Sequence, residues 1–165
     1  MHFIGVFTKN KNFERIKEKI LEQINMKDIN IININNNNIN NLKNIVFETI
    51  VICDRIQNFN NNNESYKKIF ANTKYLIMNS EINFKEEFLE DIKCNIITYG
   101  LNHKSTITIS SISDDNVLIS LQRNIENIEG KTVEMEEISI RKDIYNTFKI
   151  EDFMVIFAIL LIYSK

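Results

Sequence analysis

Apolar residues follow two successive regimes along this chain. Up to about residue 100 they fall into short, nearly unbroken runs: Phe3–Phe7, Ile29–Ile34, Ile45–Cys53, Tyr75–Met78 and Asn95–Tyr99. Runs of this length predict strands of a parallel sheet covered on both faces. Between them the period lengthens. Phe13, Ile16, Ile20, Leu21 and Ile24 recur at helical spacing, with Glu14, Lys17, Glu18 and Lys19 facing out. Asn12 stands where an N-cap is expected, and Arg15 where a capping box carries Glu. Ser65–Ala71 and Phe84–Asp91 predict two shorter helices.

From Thr106 the pattern changes to alternation. Thr106–Ser113 and Asn116–Arg123 flank the turn-forming pair Asp114-Asp115, and Lys131–Ile140 supplies a third alternating stretch. These predict three antiparallel strands. The chain closes with a helix from about Glu151, apolar nearly all round and therefore in need of cover, with Glu151 and Asp152 suited to its N-terminal dipole. The expected fold is α/β: a doubly wound, mostly parallel sheet with right-handed crossovers, a small antiparallel three-stranded appendage and a C-terminal apolar helix. No repeat or linker interrupts it, so residues 1–165 are expected to form one domain, divided into 1–104, 105–142 and 143–165.

Composition narrows the function classes. The 165 residues are 44% apolar and 25% charged, with net charge -2, which implies no basic face for nucleic acid. The longest apolar run, Phe153–Tyr163, is shorter than the roughly 20 residues of a membrane span. No leader is visible after Met1-His2-Phe3, so a cytoplasmic protein is expected. Cys53 and Cys94 form no CxxC pair and read as reduced, buried thiols; His2 and His103 are too few for a His-rich metal site. The runs Asn35–Asn38 and Asn60–Asn63 read as loops, in a composition that looks AT-rich in origin.

Several segments, in order, resemble the central, ATP-binding domain of the bacterial Mur ligases, a domain shared with the folylpolyglutamate synthetases. The family's strand, P-loop and helix read I-G-V-T-G-T-N-G-K-T; here the same place reads Ile4-Gly5-Val6-Phe7-Thr8-Lys9-Asn10-Lys11-Asn12-Phe13. The family's Tyr-containing helix corresponds to Glu64–Phe70, its strand ending in Asn-Asp-Asp to Tyr75–Glu81, which ends Asn79-Ser80-Glu81, and its strand ending in Thr-Tyr-Gly to Ile97–Leu101. Ile144-Tyr145-Asn146-Thr147 stands before the last helix, where the family carries N-x-Y-N-A.

The departures bear on chemistry. A P-loop turns successive N–H groups toward phosphate because its glycines allow it, and its Lys and Ser/Thr handle the charge and Mg²⁺. Here both loop glycines are replaced, so Thr8, Lys9, Asn10, Lys11 and Asn12 are doubtful nucleotide- or phosphate-binding residues, and the loop reads as degenerate. Glu48 and Asp54 are the candidate metal carboxylates that the resemblance leaves, the stretch Asp54–Phe59 having no His. Lys67 and Lys68 lie near the lysine many Mur ligases carbamylate, and read as surface residues. The resemblance covers none of the family's flanking substrate domains.

The leading expectation is a non-catalytic Mur-ligase-like domain, without cofactor or catalytic residues, acting through a protein partner or as a homodimer, with the apolar final helix able to complete the contact surface. The alternatives are a surviving nucleotide- or phosphate-binding protein, and a partner-dependent ligase or nucleotide hydrolase using ATP and Mg²⁺. A link to peptidoglycan precursor synthesis is implied by resemblance alone.

Overall fold

The computed structural model describes residues 1–24, 28–56, 64–82, 92–145 and 149–163. The strands are β1 (His2–Phe7), β2 (Ile29–Asn33), β3 (Thr49–Ile52), β4 (Tyr75–Asn79), β5 (Asn95–Tyr99), β6 (Ile107–Ile112), β7 (Asn116–Leu121), β8 (Ile125–Glu126), β9 (Thr132–Val133) and β10 (Glu136–Arg141). The helices are α1 (Asn10–Gln23), α2 (Ile39–Leu42), α3 (Glu64–Phe70), α4 (Lys142–Tyr145) and α5 (Ile150–Tyr163).

Eight strands form one sheet in the order β10-β7-β6-β5-β4-β3-β1-β2. β2, β1, β3, β4, β5 and β6 run parallel, while β7 pairs antiparallel with β6 and β10 antiparallel with β7. The antiparallel strands thus continue the parallel sheet through β6 rather than standing apart from it. The third alternating stretch divides: Thr132–Val133 pairs with Ile125–Glu126 in a separate two-stranded sheet, and Glu136–Arg141 rejoins the main one.

The period-2 alternation of the strands sends two sets of side chains to two cores. Ile4, Val6, Val51, Ile77, Ile97, Tyr99, Ile107 and Ile119 face α1 and α5. Phe7, Ile50, Ile52, Leu76 and Met78 face α2 and α3. Gly5 points into this second core, where a Cβ would collide with Ile34 and press on Phe47.

Within α5, residues Met154–Ile159 and Leu161–Tyr163 are buried. Its uniform apolarity is explained by cover on every side. The sheet and α1 take two sides, and Ile125, Ile128 and Val133 of the β8–β9 segment pack against the same cluster. The Ile128 N–H donates to the Ile162 carbonyl at 2.9 Å, tying that segment down. α5 is therefore a core helix, as its all-round apolarity required, with its apolar area spent inside the fold.

One helix start differs from the sequence reading, and one short helix was not read from it. α1 begins at Asn10 with Lys9 as its N-cap, so Asn12 lies inside the helix. The Asn35–Asn38 run is a turn that launches α2: Asn35 Oδ1 accepts the N–H groups of Asn37 and Asn38, and Asn38 Oδ1 accepts that of Asn35. Phe84–Asp91, Asn60–Asn63, Asn146 and Thr147 lie outside the described residues.

Candidate functional site

In a doubly wound sheet, ligands gather outside the carboxyl ends of the strands, where successive connections depart to opposite sides. That point here lies between β1, which leads through α1 to β2 on one side, and β3, which lies on the other. A cleft of about 230 Å³ opens there, lined by Phe7 at the end of β1, Thr8 and Lys9 after it, Ile34–Asn36 after β2 and Asp54–Ile56 after β3. Phe7 stacks on Tyr66 and Phe70, and Tyr66 donates its hydroxyl to Asn36 Oδ1 at 2.7 Å.

Only Thr8 and Lys9 separate the last residue of β1 from the first of α1. Lys9 is extended, with φ -68° and ψ 140°, and its side chain caps nothing; the first turn of α1 carries no acidic residue of its own. The orphan donors at such an end attract a negative group. Asp54 supplies one from the end of β3. Its Oδ2 accepts the Lys9 backbone N–H at 3.1 Å and the Thr8 hydroxyl at 3.2 Å. A carboxylate therefore sits at the helix N-terminus, at the position an anionic ligand would take.

Beside Asp54, Cys53 is half-buried and Tyr99 fully buried. Burial pushes the Cys53 thiol up to about 12, although Tyr99 and Thr8 both hydrogen-bond it, so it stays protonated at neutral pH. Burial also raises the Tyr99 hydroxyl, which donates to the Ile52 carbonyl at 3.4 Å. These groups are poor nucleophiles and poor bases. A second tie holds the opposite side of α1: Arg15 donates to Asp152 Oδ2 at 2.6 Å, and Asp152 is buried in the first turn of α5. Asp152 thus serves its own helix dipole and binds α1 to α5. The one sequence sign of this pair was Arg15 standing in a capping-box position without being a cap.

The sequence candidates divide. Thr8, Lys9 and Asp54 meet at the cleft. Asn10 is the first residue of α1; Lys11 is exposed in its first turn, and Asn12 follows in the same helix. Glu48 precedes β3, so it lies at the amino edge of the sheet while Asp54 lies at the carboxyl edge. Six residues of extended chain put them about 20 Å apart, too far to share an ion. Glu48 is engaged where it stands: Lys74 donates to its Oε1 at 2.8 Å, and His2 Nδ1 contacts its Oε2. Burial raises its carboxyl, but the hydrogen bonds and charges of Lys74 and His2 outweigh that and hold it below the usual range. Among the described residues, no three His, Cys, Asp or Glu side chains are grouped to hold a metal ion. Lys67 and Lys68 are exposed on α3.

The chain matches no family model and no curated protein sequence. Among solved structures it is similar to a crystal structure of MurF from Acinetobacter baumannii, with a TM-score of 0.54 and 8% identity. The fold is Mur-ligase-like. The match covers 99% of this chain and 42% of that chain, so the present chain spans less than half the length of that MurF. At this identity the likeness is one of backbone arrangement. Among the described residues, no helix is long and apolar enough to cross a membrane.

Proposed function

We propose that this chain is a non-catalytic Mur-ligase-like domain that has given up nucleotide binding and works by associating with protein, either itself or a partner. The observation that carries this reading is the Asp54 carboxylate on the Lys9 N–H and the Thr8 hydroxyl. A phosphate arriving there would meet a fixed negative charge and would have to displace two hydrogen bonds. The two-residue connection, without glycine, offers no row of N–H groups to replace them. The cleft, at about 230 Å³, is also smaller than the roughly 300–1,000 Å³ of sites that enclose a sizeable ligand.

A second reading, a phosphate- or nucleotide-binding protein, draws on the position of the cleft at the switch point and on Lys9 and Arg55 at its rim. Calorimetric titration with ATP and Mg²⁺, with ADP and AMP as comparisons, separates the two. The first reading expects no heat at millimolar nucleotide. Magnesium-dependent binding in the micromolar range would overturn it and favour the second reading.

A further inference from the structure

At the amino edge of the sheet, opposite the switch point, the starts of β1, β3 and β4 lie side by side. A cleft of about 630 Å³ opens there, lined by the first residues of β1 and by the segments that approach β3 and β4. That volume lies within the roughly 300–1,000 Å³ of small-molecule sites, a range the switch-point cleft does not reach. Part of the lining is apolar. Phe3, Ile45 and Val46 contribute to it, and Val46 is 59% exposed although the fold fills two cores around it.

The polar part of the lining is built around Glu48. Its N–H donates to the Phe3 carbonyl at 3.0 Å and its carbonyl accepts the Lys74 N–H at 2.9 Å, which stitches the three segments together. Its side chain is only 15% exposed, with Lys74 Nζ on Oε1 at 2.8 Å and His2 Nδ1 on Oε2. The His2 ring meets Tyr163 edge-on, and the Tyr163 hydroxyl shares a buried hydrogen bond of 2.8 Å with Thr49. Lys74 is the outer member of the group. Its side chain is 65% exposed, and an ammonium has three hydrogens to give, of which Glu48 takes one. The hydrogen bond to Glu48 raises Lys74, so its charge persists across the neutral range. The cleft thus presents a held cation with donors to spare beside an apolar wall, and the carboxylate that holds the cation lies behind it.

We propose that this cleft binds a small amphipathic monocarboxylate, its carboxylate on Lys74 Nζ and its apolar body along Phe3, Ile45 and Val46. A carboxylate supplies acceptors for the remaining Lys74 hydrogens, and hydrogen bonds between charged partners are roughly twice as strong as neutral ones. An ammonium ligand would meet the outer charge of Lys74, and an alcohol would forgo the charge altogether. The site is at the opposite edge of the sheet from the Asp54–Lys9 contact, so it stands or falls separately from the association reading.

The test follows the amide resonances of the full chain by NMR during titration with octanoate. Octanol and octylammonium serve as comparisons with the same tail, and acetate as the head group alone. The expected result is saturable shifts at Val46, Glu48 and Lys74 in the high-micromolar to low-millimolar range, with each comparison at least about tenfold weaker. Lys74→Gln and Val46→Asp, both at exposed positions, should each weaken octanoate at least about tenfold and leave the circular dichroism unchanged. Glu48→Gln keeps an acceptor for Lys74 but removes the competing charge, and should tighten octanoate about threefold. Shifts that do not saturate would overturn the inference, as would equal binding of octanol or octylammonium. So would an octanoate affinity indifferent to Lys74→Gln and Val46→Asp, or weaker binding by folded Glu48→Gln.

Discussion

The carboxylate of Asp54, at the end of β3, accepts the backbone N–H of Lys9 at 3.1 Å, across 45 residues of sequence. α1 thereby receives from a neighbouring strand the negative group that its own first turn lacks. The same contact stabilises the helix and closes its end to other anions.

Removing that carboxylate should have two readable effects. Asp54→Ala should cost about 1 kcal/mol in urea unfolding, the usual loss for a helix N-cap acceptor. Inorganic phosphate should then raise the midpoint of the variant and leave that of the parent protein unchanged. A variant as stable as the parent and equally indifferent to phosphate would show that Asp54 does not guard this helix end.

Stability should fall in acid partly through Glu48. Burial raises its folded-state carboxyl, but Lys74 and His2 more than offset this and hold it below its ordinary value of 4.5. A depressed carboxyl contributes stability that is fully present above the unfolded value and is lost as pH drops through the folded one. The urea midpoint of the parent should therefore decline below about pH 4.5. Glu48→Gln should start lower and show a shallower decline over that window. Parallel curves for the two proteins would assign the acid loss to other carboxylates.

The Arg15–Asp152 pair should be asymmetric. Asp152 is buried while the Arg15 side chain is 41% exposed. Arg15→Met strands a buried carboxylate and should cost about 1–3 kcal/mol. The double variant Arg15→Met with Asp152→Asn removes that stranded charge and should recover part of the loss. A double-mutant cycle with no coupling would mean the pair does not tie α1 to α5.

Thiol reactivity offers a check that needs no variant. With Cys53 pushed up to about 12 and Cys94 to about 11 by burial, little thiolate exists at pH 8 in the folded state. Labelling with a disulfide reagent should be at least about a hundredfold slower than after unfolding in urea. Fast labelling of the native protein would mean that one of these sites opens readily.

Much of the architecture was legible because it depends on local pattern. Buried parallel strands must be apolar on both faces, so runs such as Ile50–Ile52 and Tyr75–Met78 announced themselves, and the 3.6-residue spacing of Phe13, Ile16 and Ile20 marked α1. The Asn35–Asn38 turn was harder, because its helix of four residues is too short to show a period. Of the candidate site, the stretch Thr8–Asn12 and the carboxylate Asp54 could be picked out singly, each from its place at a strand end.

What joins them is tertiary. Nothing in the order of residues says that Asp54 reaches Lys9, since that requires β3 to lie beside β1 in a register pairing Phe7 with Ile52. For the same reason Glu48 and Asp54 lie close in sequence, yet an extended strand carries them to opposite edges of the sheet. The apolar surface of α5 likewise declared only that it must be covered. The packing of β8–β9, α1 and the sheet decided by what, because hydrophobic burial specifies how much area leaves water and not which partner removes it.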